Sequence, residues 1–296
     1  MKLVTFFMDE EEKLGVLNKD ETKVIEIDGL VEGEYLDMID LIEYGSDEDF
    51  KAIKKASRTK GTAQNSYDLD DVILLAPIPW PEHDIICLGV NYADHLEEAK
   101  KDMKGKFATP THAVYFSKRA SSIIGPGEKI QGRFDIDPEL DYEVELAVII
   151  GKMGSDIPPE QAEAYIFGYS VFNDISSRQV QKAHQQWFRG KSFDTYAAMG
   201  PCILTKDELP FPVHVDVKSY VNGELRQSSN TKMLIHDIPH IIAELSTGIT
   251  LEPGDIIVTG TPAGVGMGFS PPRYLKAGDT VTVEIPEIGK LINEVK

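Results

Sequence analysis

The segment Asp141-Tyr-Glu-Val-Glu-Leu-Ala-Val-Ile-Ile150 places two glutamates, Glu143 and Glu145, one residue apart in an apolar run. Side chains on a β-strand alternate between its two faces, so the pattern predicts a buried strand with both carboxylates on one face. Two neighbouring buried carboxylates repel, and each is costly to desolvate unless a cation or a shared proton neutralises it. The segment therefore predicts a core strand that contributes two ligands to a metal site.

A third candidate ligand, Asp174, ends the apolar and aromatic run 166–174. Residues 177–187 then have a helical pattern, so Asp174 could instead cap that helix, as could Ser176 or Ser177. Three carboxylates without a nearby Cys or His ligand are typical of a hard cation. We therefore interpret the three as ligands of one divalent cation, Mg²⁺ or Mn²⁺ with Ca²⁺ possible, rather than structural zinc.

Composition restricts the class of protein. The chain has 296 residues and a net charge of −19, which argues against binding to nucleic acid or to an anionic membrane surface. Its two cysteines, Cys87 and Cys202, are too few and too distant for a disulfide framework, which fits a reducing compartment. Neither a signal peptide nor a membrane span is evident, so we expect a soluble, cytoplasmic protein.

The chain is predicted to divide into a small N-terminal α+β domain, residues 1–72, and a catalytic domain, residues 80–296. The proline cluster Pro77-Ile-Pro-Trp-Pro81 marks the entrance to the second, because each proline opposes helix and central-strand pairing. The elements predicted for the first are strands at 3–7, 14–17 and 24–27 and a helix at 36–53.

Strand signals dominate the catalytic domain. Asn222-Gly223 has the composition of a two-residue hairpin turn. Two turn segments ending in Gly-Asp, at 251–255 and 275–279, precede predicted strands. Those strands are at 256–259 and 280–285. Convincing helical patterns in this half occur at 177–187 and 237–247, so the predicted fold class is α+β and mainly β.

A glycine-rich stretch, residues 259–268, follows one of these strands. A dinucleotide-binding loop would open a helix, but Phe269-Ser-Pro-Pro272 follows and makes a continuous helix improbable. We therefore disfavour phosphate binding. Backbone N–H groups of the stretch, with the hydroxyl of Thr259 or Thr261, could still approach a small carboxylate.

His95 and Glu98 are three residues apart in a short helical pattern. On a helix they would share a face, so that the carboxylate orients the imidazole as a general base. The alternative is a solvated polar helix with an incidental histidine. The polar, lysine-rich residues 96–106 that follow are typical of a mobile lid.

Five motifs together resemble those of the fumarylacetoacetate hydrolase superfamily, occur in that family's order and span most of residues 80–296. They are Gly-Val-Asn-Tyr-Ala-Asp-His at 89–95, Asp-Tyr-Glu-Val-Glu-Leu-Ala at 141–147, Asn-Asp-Ile-Ser-Ser-Arg-Gln-Val-Gln at 173–181, Gly-Lys-Ser-Phe-Asp-Thr at 190–195 and Thr-Gly-Thr-Pro-Ala-Gly-Val-Gly at 259–266. The N-terminal residues resemble the small, variable appendage of bacterial members. The resemblance implies the family's mixed β-sandwich roll and a homodimer.

The resemblance also implies roles for individual residues. The cation would lie on Glu143, Glu145 and Asp174, and a 2-oxo acid would chelate it in enolate form. The remaining positions match the family's catalytic dyad and its substrate-contacting residues. They are His95 and Glu98 for the dyad, Arg178, Gln181 and Lys191 around metal and substrate, and Thr261 at the substrate carboxylate. Arg178 and Gln181 could instead form an exposed helix face.

These roles favour metal-dependent hydrolysis of a carbon–carbon bond in a small acylpyruvate-type β-diketo acid. His95 would deprotonate the attacking water, Glu98 would stabilise the imidazolium, and Lys191 and Gln181 would stabilise the developing oxyanion. The same site could serve an oxaloacetate-type decarboxylase, or a hydroxymuconate-type isomerase or hydratase. A non-catalytic Ca²⁺-binding protein is a further alternative, but a structural ion needs no general base.

Overall fold

The computed structural model describes residues 1–59, 65–102 and 111–296, with the side chains of 99–102 excepted. Residues 103–106 of the expected lid lie outside the described residues. The strands are β1 (Lys2–Met8), β2 (Glu11–Leu17), β3 (Lys23–Glu26), β4 (Ser66–Asp68), β5 (Ile73–Leu74), β6 (Ile85–Gly89), β7 (Val114–Lys118), β8 (Lys129–Ile130), β9 (Leu140–Asp141), β10 (Val144–Ile150), β11 (Ile166–Asp174), β12 (Ser176–Ser177), β13 (Ala197–Thr205), β14 (Asp216–Val221), β15 (Glu224–Asn230), β16 (Ile256–Val258), β17 (Thr280–Ile285) and β18 (Gly289–Val295). The helices are α1 (Met38–Tyr44), α2 (Asp47–Ser57), α3 (Ala93–Asp102), α4 (Ala162–Tyr165), α5 (Arg178–Ala183), α6 (Phe188–Lys191) and α7 (Ile238–Ser246).

Two sheets form the body of the described protein. The larger has eleven strands in the order β4-β3-β2-β1-β13-β11-β10-β16-β6-β7, with β5 paired to β1. The smaller has five, in the order β15-β14-β17-β18-β8, and its apolar side chains Val217, Val281 and Leu291 share one core with Leu146 and Val171 of the larger sheet. The mainly β fold class is confirmed. Strand β10 lies inside the larger sheet, between β11 and β16, and is buried along its whole length because the side chains of each face enter a hydrophobic core.

The N-terminal strands extend the large sheet. Strand β1 pairs antiparallel with β13, with Lys2 opposite Leu204 and Leu3 opposite Ile203. Strands β1 to β5 therefore continue the sheet that holds β10 and β11. The division into domains at residues 73–79 stays a prediction.

The helix predicted at 36–53 is wrong in one respect, since two helices, α1 and α2, occupy this region. Ser46 begins α2 with a capping box: its hydroxyl accepts from the Asp49 N–H, and the Asp49 carboxylate accepts from the Ser46 N–H. These side-chain bonds satisfy backbone groups that a continuous helix would have used, so the first helix ends at Tyr44.

The other predicted elements are largely confirmed. Asn222 and Gly223 have φ values of 52° and 79° and join β14 to β15 as the expected hairpin. The glycine-rich stretch ends in a 3₁₀ turn at Gly266–Gly268 and opens no α-helix. The helix predicted at 177–187 is shorter, because His184 leaves helical conformation and α5 ends at Ala183. No helix among the described residues is long and apolar enough to cross a bilayer.

Candidate active site

Three carboxylates meet where β10 and β11 run side by side. Val144 pairs with Asn173, and the Asp174 N–H donates to the Glu143 carbonyl at 2.9 Å, so this register brings Asp174 beside the two glutamates. Ligand oxygens of Glu143, Glu145 and Asp174 all lie within 4.8 Å of one another, and the three residues are buried. The strand alternation and the strand-end position predicted from the sequence thus converge on one cluster, called here the carboxylate cluster.

Two buried lysines bind the carboxylate cluster. Lys191 Nζ lies 2.7 Å from both Glu143 Oε2 and Asp174 Oδ2. Lys118 Nζ donates to Asp174 Oδ1 at 2.5 Å and to the Ile175 carbonyl at 2.9 Å. Sequence reasoning missed Lys118, although it ends the strand-like run 114–118. Its role becomes visible only when β7 is placed near the end of β11.

Arg178 connects the carboxylate cluster to a fourth carboxylate. Its Nη2 lies 2.6 Å from Glu143 Oε1, and its Nε donates to Asp141 Oδ2 at 2.9 Å. Asp141 also accepts the Gly266 and Met267 N–H groups of the glycine-rich stretch, at 2.6 and 3.0 Å. Arg178 is buried, so the alternative of an exposed helix face does not hold for it.

The two glutamates have opposite electrostatic environments. Burial alone would raise the pKa of Glu143, but Lys191 and Arg178 outweigh burial and lower it to about 2. Burial, together with the charges of Asp174 and Glu143, raises the pKa of Glu145 well above its usual range. Glu145 accepts the Gly260 N–H at 2.6 Å, but it has no ion-pair partner among the described residues. A buried oxygen cluster with one uncompensated carboxylate fits a hard divalent cation.

The expected contact between His95 and Glu98 is formed, and its catalytic role stays a prediction. His95 Nδ1 lies 2.9 Å from Glu98 Oε2 on α3, and the other carboxylate oxygen of Glu98 accepts the Gly264 N–H at 3.0 Å. Glu98 is therefore held from two sides. With Nδ1 engaged, the Nε2 atom of His95 remains available for proton transfer.

A cavity of about 550 Å³ joins the dyad to the carboxylate cluster. Glu98 and Asp174 do not line the cavity themselves but contact two residues that do, His95 and Lys191. The predicted site residues that line it are His95, Glu143, Glu145, Arg178, Gln181, Lys191 and Thr261. The remaining lining residues are Leu88, Gly89, Val90, Phe116, Lys182, His184, Gln185, Trp187 and Met267.

The two candidate threonines bind the backbone of β10. The Thr261 hydroxyl donates to the Val144 carbonyl at 3.0 Å and accepts from Gln227 Nε2 at 2.7 Å, and Thr259 donates to the Leu146 carbonyl at 3.0 Å. These bonds dock the glycine-rich stretch on β10, which carries Glu145 and directly follows Glu143. Contact between Thr261 and a substrate carboxylate stays a prediction.

Comparison with known proteins decides the family. Residues 84–296 match the description "Fumarylacetoacetate (FAA) hydrolase C-terminal". The chain belongs to the fumarylacetoacetate hydrolase family. The resemblance noted in the five sequence motifs is thereby confirmed.

Three relatives show the range within this family. Oxaloacetate tautomerase YisK of Bacillus subtilis is 45% identical over 229 residues, covering 77% of this chain and 75% of YisK. A fumarylacetoacetate hydrolase structure from Exiguobacterium antarcticum is 42% identical with a TM-score of 0.83, covering 100% of this chain and 99% of that one. A maleylpyruvate hydrolase from Sphingobium sp. SYK-6, solved with manganese(II) and pyruvate, is 31% identical with a TM-score of 0.75, covering 100% and 98%. The chain thus belongs to an enzyme superfamily that includes hydrolases, isomerases and tautomerases.

Proposed function

We propose that this enzyme moves a proton between carbon and oxygen of a small 2-oxo acid, and that its reaction is enol–keto tautomerisation of an oxaloacetate-type acid. The observation that carries the proposal is the His95–Glu98 pair in one cavity with the carboxylate cluster. An oriented base facing a polar, buried cluster is the arrangement that proton abstraction next to a carbonyl requires.

In this proposal the enol hydroxyl loses a proton while the adjacent carbon gains one, so the formula of the substrate is unchanged. His95 Nε2 accepts or delivers the proton, and Glu98 stabilises the imidazolium through Nδ1. Gln181, whose side-chain oxygen accepts from Arg178 at 3.0 Å, can turn its amide N–H groups toward substrate oxygens. Glu143, Glu145 and Asp174 would hold Mg²⁺ or Mn²⁺, with Ca²⁺ possible, which when bound supplies a Lewis acid for the oxygens of the 2-oxo acid.

Tautomerisation is favoured over bond cleavage by the name of the 45% identical relative, an oxaloacetate tautomerase. Tautomerisation also needs no second reactant, whereas hydrolysis requires an attacking water. Hydrolysis of an acylpyruvate, the reaction favoured by the sequence, is the second candidate. The related maleylpyruvate hydrolase with manganese and pyruvate supports it, and there His95 would deprotonate water.

One preparation can decide between these reactions. We would supply Mn²⁺ or a chelator and follow loss of the oxaloacetate enol, release of CO₂ from oxaloacetate, and cleavage of acetylpyruvate. We expect the enzyme to accelerate loss of the enol only in the presence of Mn²⁺. In His95→Ala the rate of enol–keto conversion should decrease by about 10²–10⁴-fold, with unchanged Mn²⁺ affinity.

His83→Ala is the matched control, since His83 also pairs with a carboxylate, Asp255, at 2.8 Å, but lies outside the cavity. Full tautomerase activity in His95→Ala would contradict the proposal. Efficient acetylpyruvate cleavage or CO₂ release, without acceleration of tautomerisation, would replace it with the hydrolase or the decarboxylase. The expected homodimer and cytoplasmic location remain predictions.

A further inference from the structure

One wall of the active-site cavity is aromatic. Phe116 and Trp187 meet edge to face with ring centroids 5.3 Å apart and an interplanar angle of 72°, and this pair is called here the aromatic wall. The wall begins at the carboxylate cluster, because Lys191 Nζ lies 5.3 Å from the centroid of Phe116. Both rings are only partly buried and line the cavity, so each retains surface for a ligand. A substituent on the carbon next to the carbonyl of a bound 2-oxo acid would therefore contact the aromatic wall.

The backbone at the end of β6 leaves room for the Trp187 ring of the aromatic wall. A Cβ atom on Gly89 would lie 2.2 Å from Trp187 Cζ3, so the indole can rest against β6 only because this residue is glycine. Val90 follows with a φ of 55°, a left-handed conformation that is strained for a β-branched residue. Asn91 holds this conformation through bonds to the Thr259 carbonyl at 2.9 Å and the His236 N–H at 2.8 Å. The strained residue thus adds an apolar side chain to the cavity lining.

The cationic groups that line the described cavity are already engaged. Arg178 and Lys191 are paired with buried carboxylates. Lys182 lies 3.2 Å from Glu139, and His184 Nδ1 lies 2.9 Å from the Val180 carbonyl. A second carboxylate on the substrate tail would thus compete with protein carboxylates for Arg178, Lys191 and Lys182. The arrangement favours an uncharged tail.

The cavity is also large for a short acid. Its volume is about 550 Å³. That volume lies in the range of sites that enclose drug-sized ligands. Oxaloacetate would leave water against the aromatic wall, whereas a planar apolar group would displace it and stack on the rings.

We propose that the preferred substrates are 2-oxo acids with an aromatic substituent on the carbon next to the carbonyl, the arylpyruvate class. The inference rests on the proposed tautomerase function and specifies its preferred substrate, which has an aryl group where oxaloacetate has its second carboxylate. The enol of such an acid loses its hydroxyl proton and gains a proton on the substituted carbon, with no other reactant. The acid end lies at the carboxylate cluster and the aryl group lies on the aromatic wall.

The test compares kcat/KM for enol–keto conversion of phenylpyruvate and of oxaloacetate by the Mn²⁺-loaded enzyme. We expect phenylpyruvate to be at least as good a substrate. In Trp187→Ala the ratio of the two kcat/KM values should fall by about tenfold, or about 1.4 kcal/mol, and Trp187→Phe should recover most of it. Trp80→Ala is the matched control, since Trp80 is exposed and lines a different cavity.

A binding measurement covers the case in which Trp187→Ala does not fold. In a Trp80→Phe background Trp187 is the sole tryptophan, and phenylpyruvate should quench its fluorescence more strongly than oxaloacetate at equal concentration. Three outcomes would overturn the inference and leave the proposed function standing. They are turnover of oxaloacetate but not of phenylpyruvate, equal quenching by both acids, and an unchanged ratio of the two kcat/KM values in a folded Trp187→Ala protein. Quenching by phenylpyruvate without turnover of either acid would instead reject the tautomerase function.

Discussion

Glu143 and Glu145 should respond oppositely when each is replaced by glutamine in the metal-free protein. The substitution keeps the shape of the side chain and removes only its charge. In Glu143→Gln, Lys191 and Arg178 lose the carboxylate that lies 2.7 and 2.6 Å away, and both cations stay buried. In Glu145→Gln, a carboxyl group without an ion-pair partner among the described residues can no longer ionise, and its amide oxygen can still accept the Gly260 N–H.

The size of the first effect follows from the pKa of Glu143, which is lowered from 4.5 to about 2. A decrease of this size corresponds to about 3 kcal/mol of stability, an order-of-magnitude figure that agrees with the cost of breaking buried ion pairs. Because the pKa is lowered on folding, this stability is present at neutral pH and is lost as the pH falls from about 4 through about 2. The pKa of Glu145 is raised on folding, so its ionisation opposes folding as the pH rises above the ordinary pKa of 4.5.

Urea denaturation at pH 7 with a chelator measures both variants against the unsubstituted protein. We expect Glu143→Gln to lose about 3 kcal/mol and Glu145→Gln to lose none or to gain stability. Calorimetric titration with Mn²⁺ should show weaker binding in both, because each loses a ligand. Equal losses of stability would refute the charge assignment, and unchanged Mn²⁺ affinity in either variant would refute the metal assignment.

Two further predictions concern proton release and the glycine-rich stretch. Because burial and the charges of Asp174 and Glu143 raise the pKa of Glu145, protonation of this carboxyl group competes with Mn²⁺ binding. The affinity for Mn²⁺ should therefore increase with pH, and calorimetry in two buffers should detect proton release on binding; a pH-independent affinity without proton release would contradict this account. Gly264→Ala should destabilise the protein more than Gly223→Ala and also lower activity. Both glycines have positive φ, but an added Cβ would meet open space at Gly223, whereas at Gly264 it would lie 2.1 Å from the Arg226 carbonyl oxygen. Activity should fall because the Gly264 N–H donates to Glu98. Equal stability losses by urea denaturation would show that the clash is relieved at no cost.

Local periodicity in the sequence determined much of the candidate site. Alternation along a strand placed Glu143 and Glu145 together, and the spacing of three between His95 and Glu98 predicted the 2.9 Å contact on α3. These features depend on a few neighbouring residues and on backbone geometry that every strand or helix shares. The capping box at Ser46 was also readable, and it would have divided the helix predicted at 36–53.

Tertiary structure decided which charges compensate one another. Lys118 and Asp174 are 56 positions apart, and Arg178 and Asp141 are 37 apart, so no local pattern links them. The two glutamates look equivalent in sequence, yet one has a lowered and the other a raised pKa. The reason is physical: buried charges respond to every group within a few ångströms in a medium of low dielectric constant. Only the packing of β7, β10, β11, α5 and α6 brings those groups together.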